Sequence, residues 1–167
     1  MVKTTKSIPL GIRNNNPLNI VYSKKNNWHG QLKGAKGRFT AFEDMMWGFR
    51  AAACLLRKYI NVYKCNTIAQ IVAKWAPASE NNTTAYINFV CKQTGLKDSQ
   101  EVKFGDTTVM LRVMGAMCAM ENGNEYNPSN NPSIWDAMYK GYIMARENST
   151  DFASINDPQV DDKQSNL

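Results

Sequence analysis

The order of apolar and polar positions divides the chain into an irregular N-terminal part and a longer helical part. Between residues 8 and 43, turn formers such as Asn14-Asn15-Asn16-Pro17 alternate with short β-type runs such as residues 18–22. This pattern predicts a small antiparallel unit of two or three strands. From residue 44 to 147 the apolar residues recur at spacings of three and four, which predicts helices.

Start and stop signals predict five helices in the second part. The first runs from Asp44 to Val62, the second from Asn66 or Thr67 to Pro77, the third from Asn82 or Thr83 to Gly95, the fourth from Asp106 to Gly123, and the fifth from Asn131-Pro132 to Glu147. Residues 148–167 are polar with scattered apolar positions, which is typical of a flexible acidic tail. The fold class predicted is therefore α+β, mainly helical, with one domain over residues 1–147.

Charge is spread unevenly along the chain. The formal net charge is +6, yet the first 40 residues hold eight basic residues and no acidic one. The tail has four Asp and one Lys, so residues 1–147 carry +9. A charge of this size favours a polyanionic partner, such as a nucleic acid, an anionic membrane surface or an anionic cell-wall polymer. The plain alternative is a solvated basic face with no such partner.

Cysteine and histidine usage gives no metal signature. The four cysteines include no Cys-x-x-Cys pair and His29 is the only histidine, so neither a metal site nor a cofactor is predicted. Three of the cysteines fall within apolar helical patterns, which indicates reduced thiols and synthesis in a cytoplasm. The N-terminal residues contain no apolar stretch of signal-peptide length, and no run in the chain reaches the ~20 apolar residues of a membrane span.

The fourth predicted helix carries the main candidate for chemistry. Residues 107–121 are apolar on every side after the first turn, except at Arg112, which predicts a buried central helix. A stripe of methionines on one face ends at Glu121. Burial and the negative end of the helix dipole both disfavour a charged carboxylate there, and Gly123 lets the chain turn away. These effects predict a general acid, whereas the plain alternative is an ordinary Glu at a frayed helix end.

Several short motifs resemble enzymes of the lysozyme superfamily. Glu121-Asn122-Gly123 after an apolar helix is similar to the Glu-Ser/Thr-Gly signature that carries the catalytic acid of lytic transglycosylases and related glucosaminidases. The segment that follows that Glu in those enzymes is similar to Asn15-Asn16-Pro17-Leu18-Asn19-Ile20, Asn27-Trp28-His29-Gly30-Gln31, Arg38-Phe39-Thr40-Ala41-Phe42 and Gly48-Phe49-Arg50-Ala51. Because the order is reversed here, the resemblance implies a circularly permuted lysozyme-like domain with a small N-terminal β unit and about five helices. Residues 8–147 also resemble a family of phage and prophage virion structural or lytic proteins.

The candidate site residues follow from these motifs and from side-chain chemistry. Glu121 is the candidate catalytic acid, and Glu80 is either a second catalytic carboxylate, a ligand of sugar hydroxyls or a helix cap. The candidate substrate-binding residues are Arg13, Asn15, Asn16, Asn19, Trp28, Arg38, Trp75, Asn81 and Tyr86. Aromatic faces can stack on sugars and arginines can meet peptide-stem carboxylates, but turn-forming asparagines and core aromatics explain several of these positions equally well.

The favoured function is cleavage of the β-1,4 glycosidic bond of peptidoglycan, of the lytic transglycosylase or muramidase type. With one strong carboxylate, the substrate's own N-acetyl or 6-hydroxyl group would complete the displacement, which favours a transglycosylase. One alternative is a non-catalytic virion or injection-apparatus protein that binds the wall. The other is a nucleic-acid-binding module, which the absence of a recognised motif disfavours. The resemblance implies peptidoglycan strands and other virion proteins as partners, and presence in the virion or delivery to the cell wall from a bacterial cytoplasm.

Overall fold

The computed structural model describes residues 7–34, 37–78, 82–147 and 155–159, which form a mainly helical domain. The helices in these ranges are α1 (Leu10–Arg13), α2 (Met45–Asn61), α3 (Ile68–Trp75), α4 (Thr83–Thr94), α5 (Thr107–Asn122) and α6 (Pro132–Glu147). Two short 3-10 turns, Asn124–Tyr126 and Pro128–Asn130, join α5 to α6. The five predicted helices are confirmed as α2 to α6, whereas α1 and the two turns were not predicted.

Side-chain caps set the beginnings of four helices, as the sequence predicts. In each of α2, α3, α4 and α5, the side chain of the residue before the first turn accepts a hydrogen bond from a backbone amide of that turn. These capping residues are Asp44, Thr67, Asn82 and Asp106. Each such cap stabilises its helix by about 1 kcal/mol, so short helices such as α3 can form beside their packing partners.

Helix α5 lies in the hydrophobic core, which confirms the prediction of a buried central helix. Ten of its residues are buried, whereas Arg112 is exposed. Helix α4 packs against α5, and α2 packs closely against α6, which also contacts α5. Helix α5 therefore ends, with Glu121 in its last turn, where the helices meet the N-terminal segment.

The N-terminal segment is held by bridges and side chains instead of by strands. Its described residues form two isolated antiparallel bridges, Val21 to Phe39 and Gln31 to Phe42, and no continuous strand, so the predicted β unit is unconfirmed. The Asn16 side chain makes hydrogen bonds with backbone groups that strands would otherwise pair. Its Nδ2 donates to Thr40 O at 2.8 Å and its Oδ1 accepts from Ile20 N at 2.9 Å. Asn16 is fully buried. These contacts are structural, and the expected contact of Asn16 with substrate stays a prediction.

Part of the predicted flexible tail is packed on the domain. Ile155, Asp157 and Gln159 are all buried, and Gln159 is only 2% exposed. Asn26 Nδ2 donates to Asn156 O and Asn156 N donates to Asn26 Oδ1, both at 2.9 Å. The other residues of the tail lie outside the described ranges, so its flexibility stays a prediction there.

None of the helices in the described ranges combines the length and the apolarity that crossing a bilayer requires.

Candidate functional site

Glu121 lies in the last turn of α5, where two donors from distant segments meet its carboxylate. Asn19 Nδ2 donates to Oε1 at 2.9 Å, and Tyr86 OH donates to Oε2 at 2.9 Å. Asn19 belongs to the N-terminal segment and Tyr86 to α4, so the carboxylate joins three parts of the fold. Within the described ranges, every carboxylate except those of Glu121 and Asp157 belongs to an exposed residue. The site therefore presents one half-buried acid in a fixed orientation.

Tyr86 is a buried partner of the carboxylate, 3% exposed. Burial raises the pKa of Tyr86 well above its usual value, and the neighbouring charge of Glu121 raises it further. The phenol therefore keeps its proton and acts as a neutral hydroxyl. In the structure Tyr86 holds Glu121, and its predicted contact with a sugar stays a prediction.

Asn19 owes its position to an unusual backbone and to close packing. Its φ is +55°, in the left-handed region that Asn tolerates better than most residues. Its Oδ1 and that of Asn122 are buried beside the Cα of Gly11, where a Cβ would lie 2.9 Å from the first oxygen and 2.4 Å from the second. Gly11 is therefore required for the close approach that lets Asn19 turn its Nδ2 towards Glu121.

Asn122 fastens the end of α5 to the N-terminal segment. Its Nδ2 donates to Pro17 O at 2.7 Å and to Cys118 O at 2.9 Å. Gly123 follows with a φ of +102°, which ends the helix as the sequence predicts. Since Pro17 is two residues before Asn19, this junction fixes the distance between Asn19 and Glu121.

The structure divides the other candidate residues into buried and accessible ones. Trp75 is 1% exposed and its Nε1 donates to Leu18 O at 3.1 Å, so it supports the loop before Asn19. Its predicted substrate contact stays a prediction. Trp28 is also buried, but it lines a cavity of about 340 Å³ together with Arg50 and His29. Its predicted contact with substrate stays a prediction.

Three further candidates remain near the surface. Asn15 is half-buried and donates from Nδ2 to Phe42 O at 3.2 Å. Arg13 is exposed, with its Nε donating to Ile8 O at 2.9 Å. Arg38 is exposed and its guanidinium lies 5.5 Å from the centre of the Phe39 ring. Both arginines can reach an anionic ligand, so their predicted roles stay predictions.

Two candidates lie outside the described residues. These are Glu80 and Asn81, between α3 and α4. The predictions that Glu80 is a second catalytic carboxylate and that Asn81 contacts substrate are untested. Their neighbours Ala76 and Thr83 are joined by a hydrogen bond from Thr83 Oγ1 to Ala76 O at 2.6 Å, which brings the two ends of this loop together beside α4.

A basic cavity lies on the N-terminal segment. It has a volume of about 490 Å³, and its lining includes the exposed side chains of Tyr22, Lys24 and Lys33. No carboxylate lies among the described residues that line it. The positive charge predicted for this segment therefore borders an open concave surface.

Cys118 is not a candidate nucleophile. Cys118 lies one turn before Glu121, and burial raises the pKa of its thiol to about 12. A thiol that stays protonated at neutral pH is a poor nucleophile and a poor metal ligand. In the described ranges, no three side chains of His, Cys, Asp and Glu converge as metal ligands would.

Taken together, the fold and the site define a mainly helical domain with a single oriented carboxylate at the end of its central helix. No family model matches the chain. It is 39% identical over 135 residues to Protein P5 of Pseudoalteromonas phage PM2, and the match covers 79% of each chain. The chain therefore belongs to the family of this phage protein, in agreement with the predicted relation to phage proteins.

Two contacts of the site were not predicted from the sequence. The Asn19 to Glu121 bond joins residues 102 positions apart, and Asn122 was noted only as part of a motif. The run of asparagines from Asn14 to Asn16 followed by Asn19 was the one available signal, because asparagines that tolerate a left-handed backbone also offer amide donors. Gln159 and Asp157 gave no signal at all, since they lie in a segment with tail-like composition.

Proposed function

We propose that the protein cleaves the glycan strands of peptidoglycan, with Glu121 as general acid and then general base. The observation that carries this proposal is the clamp on Glu121, in which Asn19 and Tyr86 fix both carboxylate oxygens at the edge of the core. A group that exchanges a proton with a substrate must be held within a fraction of an ångström of its working position. An ordinary surface Glu has no need for two fixed partners.

The clamp allows Glu121 to carry a proton as well as to lose it. Asn19 Nδ2 can only donate, so Oε1 stays an acceptor in both states. The Tyr86 hydroxyl can donate to a charged Oε2 or rotate to accept from a protonated one. The same pair of partners therefore serves the acid and the conjugate base, which is what a group that first gives and then takes back a proton requires.

The chemistry proposed needs one carboxylate and one group of the substrate. Glu121 gives its proton to the glycosidic oxygen as the bond to the anomeric carbon breaks. In the transglycosylase version, the 6-hydroxyl of the same muramic acid attacks that carbon and its proton returns to Glu121. Proton and bonds balance without water. In the muramidase version a water molecule replaces the 6-hydroxyl and the product has a reducing end.

Products of digestion test the proposal and separate these two versions. Purified peptidoglycan sacculi incubated with the protein should release soluble muropeptides. Mass spectrometry should show anhydro-muramic ends for a transglycosylase and reducing ends for a muramidase. Sacculi that yield no soluble fragments would contradict the proposed function.

Removal of the Tyr86 hydroxyl should slow the reaction without weakening wall binding. In Tyr86→Phe, one hydrogen bond to Glu121 is lost but the buried ring keeps its packing. Loss of a charge-assisted hydrogen bond should lower the rate of muropeptide release by about tenfold or more. Co-sedimentation with sacculi should be unchanged, since Tyr86 is buried. A variant that loses binding and keeps its rate would contradict the positioning role.

The basic cavity of the N-terminal segment supports a second candidate, which is wall binding without cleavage. Tyr22, Lys24 and Lys33 offer a ring face and positive charge to an anionic polymer, independently of Glu121. In this case the protein would be a virion or injection-apparatus component. It should then pellet with sacculi and release nothing from them, and its retention should fall as salt is added.

A further inference from the structure

Residues 155–159 contact both the N-terminal segment and the helices. Asn156 bonds to Asn26, whereas Lys58 of α2 donates to Ile155 O and Tyr59 OH donates to Asp157 Oδ1 at 2.8 Å. Ile155 packs in the hydrophobic core. This segment, which we call the strap, therefore lies across the border between the two parts of the domain.

Gln159 ends the described part of the strap and has an unusual environment. Its Oε1 accepts from Val21 N at 2.7 Å, and its Nε2 donates to Trp75 O at a longer 3.4 Å. Among the described residues, local backbone hydrogen bonds use neither Val21 N nor Trp75 O. Val21 N–H points away from the bridge, whose bonds are made by the amides of Tyr22 and Thr40, and Trp75 is the last residue of α3. The side-chain amide of Gln159 thus accepts from one backbone N–H and donates to one backbone C=O.

Val21 N and Trp75 O belong to segments that also support the two partners of Glu121. Val21 is two residues after Asn19, and the Trp75 side chain donates to Leu18 O, directly before Asn19. On the other side, Ala76 follows Trp75 and is bonded to Thr83 in the first turn of α4, the helix that carries Tyr86. A group bound to Val21 N and Trp75 O is therefore held by the segments that also position Asn19 and Tyr86, the two partners of Glu121.

We propose that the strap is an autoinhibitory element in which Gln159 occupies a subsite for an amide group of the substrate. The substrate class rests on the proposed function. Glycan strands of peptidoglycan carry N-acetyl groups, and a secondary amide offers the same C=O acceptor and N–H donor as a Gln side chain. An N-acetyl group cannot use Val21 N and Trp75 O while Gln159 holds them. Release of the strap opens the subsite, and strap docking and ligand binding exclude each other.

Substitution of Gln159 in the full chain tests this proposal. Gln159→Ala removes the competing amide, so a short soluble oligomer of β-1,4-linked N-acetylglucosamine should bind about tenfold more tightly than to the unaltered protein. Tryptophan fluorescence or calorimetry measures the affinity, and muropeptide release from sacculi should rise in parallel. Gln100→Ala is the matched control, because it removes an exposed Gln outside the strap and should leave both values unchanged.

A second variant keeps the test decisive if Gln159→Ala does not fold. Gln159→Glu keeps the length of the side chain and an oxygen for Val21 N, but it places an oxygen against Trp75 O, so the oligomer should again bind more tightly. Unchanged or weaker binding in a folded Gln159 variant overturns the strap proposal, and so does failure of all forms to bind. If the unaltered protein releases no muropeptides but the variant binds the oligomer more tightly, the cleavage proposal fails and the strap proposal stands. If the unaltered protein releases muropeptides but no Gln159 variant binds the oligomer more tightly, the strap proposal fails and the cleavage proposal stands.

Discussion

Replacement of Glu121 by Gln should abolish clearing of peptidoglycan and leave the fold intact. Gln has the same shape, and its amide can keep the two partners because Oε1 accepts from Asn19 while the Tyr86 hydroxyl rotates to accept from Nε2. It cannot give a proton to the glycosidic oxygen. Loss of a general acid lowers rates by about 10²–10⁴-fold, which puts activity below detection in a zymogram.

The matched control is Glu125→Gln, four residues further along the chain. Glu125 is exposed and lies in the turn after α5, so its substitution should leave both clearing and melting temperature unchanged. Circular dichroism and thermal melting establish that the Glu121 variant is folded. Full clearing by a folded Glu121→Gln protein would remove this residue from the proposed chemistry.

Gly48→Ala should be strongly destabilising, because α2 and the Asn15 loop touch through their backbones. A Cβ at Gly48 would lie 2.0 Å from Asn15 O and 2.9 Å from Pro17 Cδ. Backbone atoms cannot move aside as a flexible side chain can, so overpacking should lower the free energy of unfolding by about 3 kcal/mol. Displacement of this loop also carries Asn19 away from Glu121. We expect a lower melting temperature together with slower muropeptide release.

Gly115→Ala is the control for Gly48→Ala, and it should raise the melting temperature instead of lowering it. Gly115 lies inside α5, and the nearest atoms to its Cβ would be 3.8 Å away, at Met138 and Pro128. Because Ala is a better helix former than Gly by about 1 kcal/mol, this variant should be slightly more stable than the unaltered protein. If both glycine variants had the same stability, the backbone approach at Gly48 would not explain the effect.

The helices could be predicted from the sequence because their signals are local. Asp44, Thr67, Asn82 and Asp106 cap the turns that immediately follow them, and the apolar face of each helix repeats within a few residues. The N-terminal segment gave no such regular signal. Its bridges depend on Asn16, whose side-chain bonds to Ile20 and Thr40 take the place of a strand ladder.

The site was predictable only in part, since its contacts join distant segments. Position at the end of an apolar helix identified Glu121, and an aromatic residue in α4 was expected near the substrate. Whether Tyr86 meets the substrate or the carboxylate depends on how α4 packs against α5, which no local pattern fixes. The strap shows the same limit more strongly. Gln159 accepts a hydrogen bond from the backbone amide of Val21, which is 138 positions away in the chain.

The junction at the end of α5 also bears on the chemical lifetime of the protein. Asn followed by Gly is prone to deamidation, in which the Gly nitrogen attacks the Asn side-chain carbonyl, ammonia leaves and a succinimide forms. Water then opens the succinimide to a carboxylate. In the folded chain, Gly123 N is bonded to Ala119 O at 2.8 Å, and Asn122 Nδ2 is held by Pro17 O and Cys118 O. Folding thus restrains both reactants. An unfolded chain has no such protection, and a carboxylate formed at residue 122 would face two carbonyl oxygens, so chemical ageing before folding leaves molecules that cannot close the site.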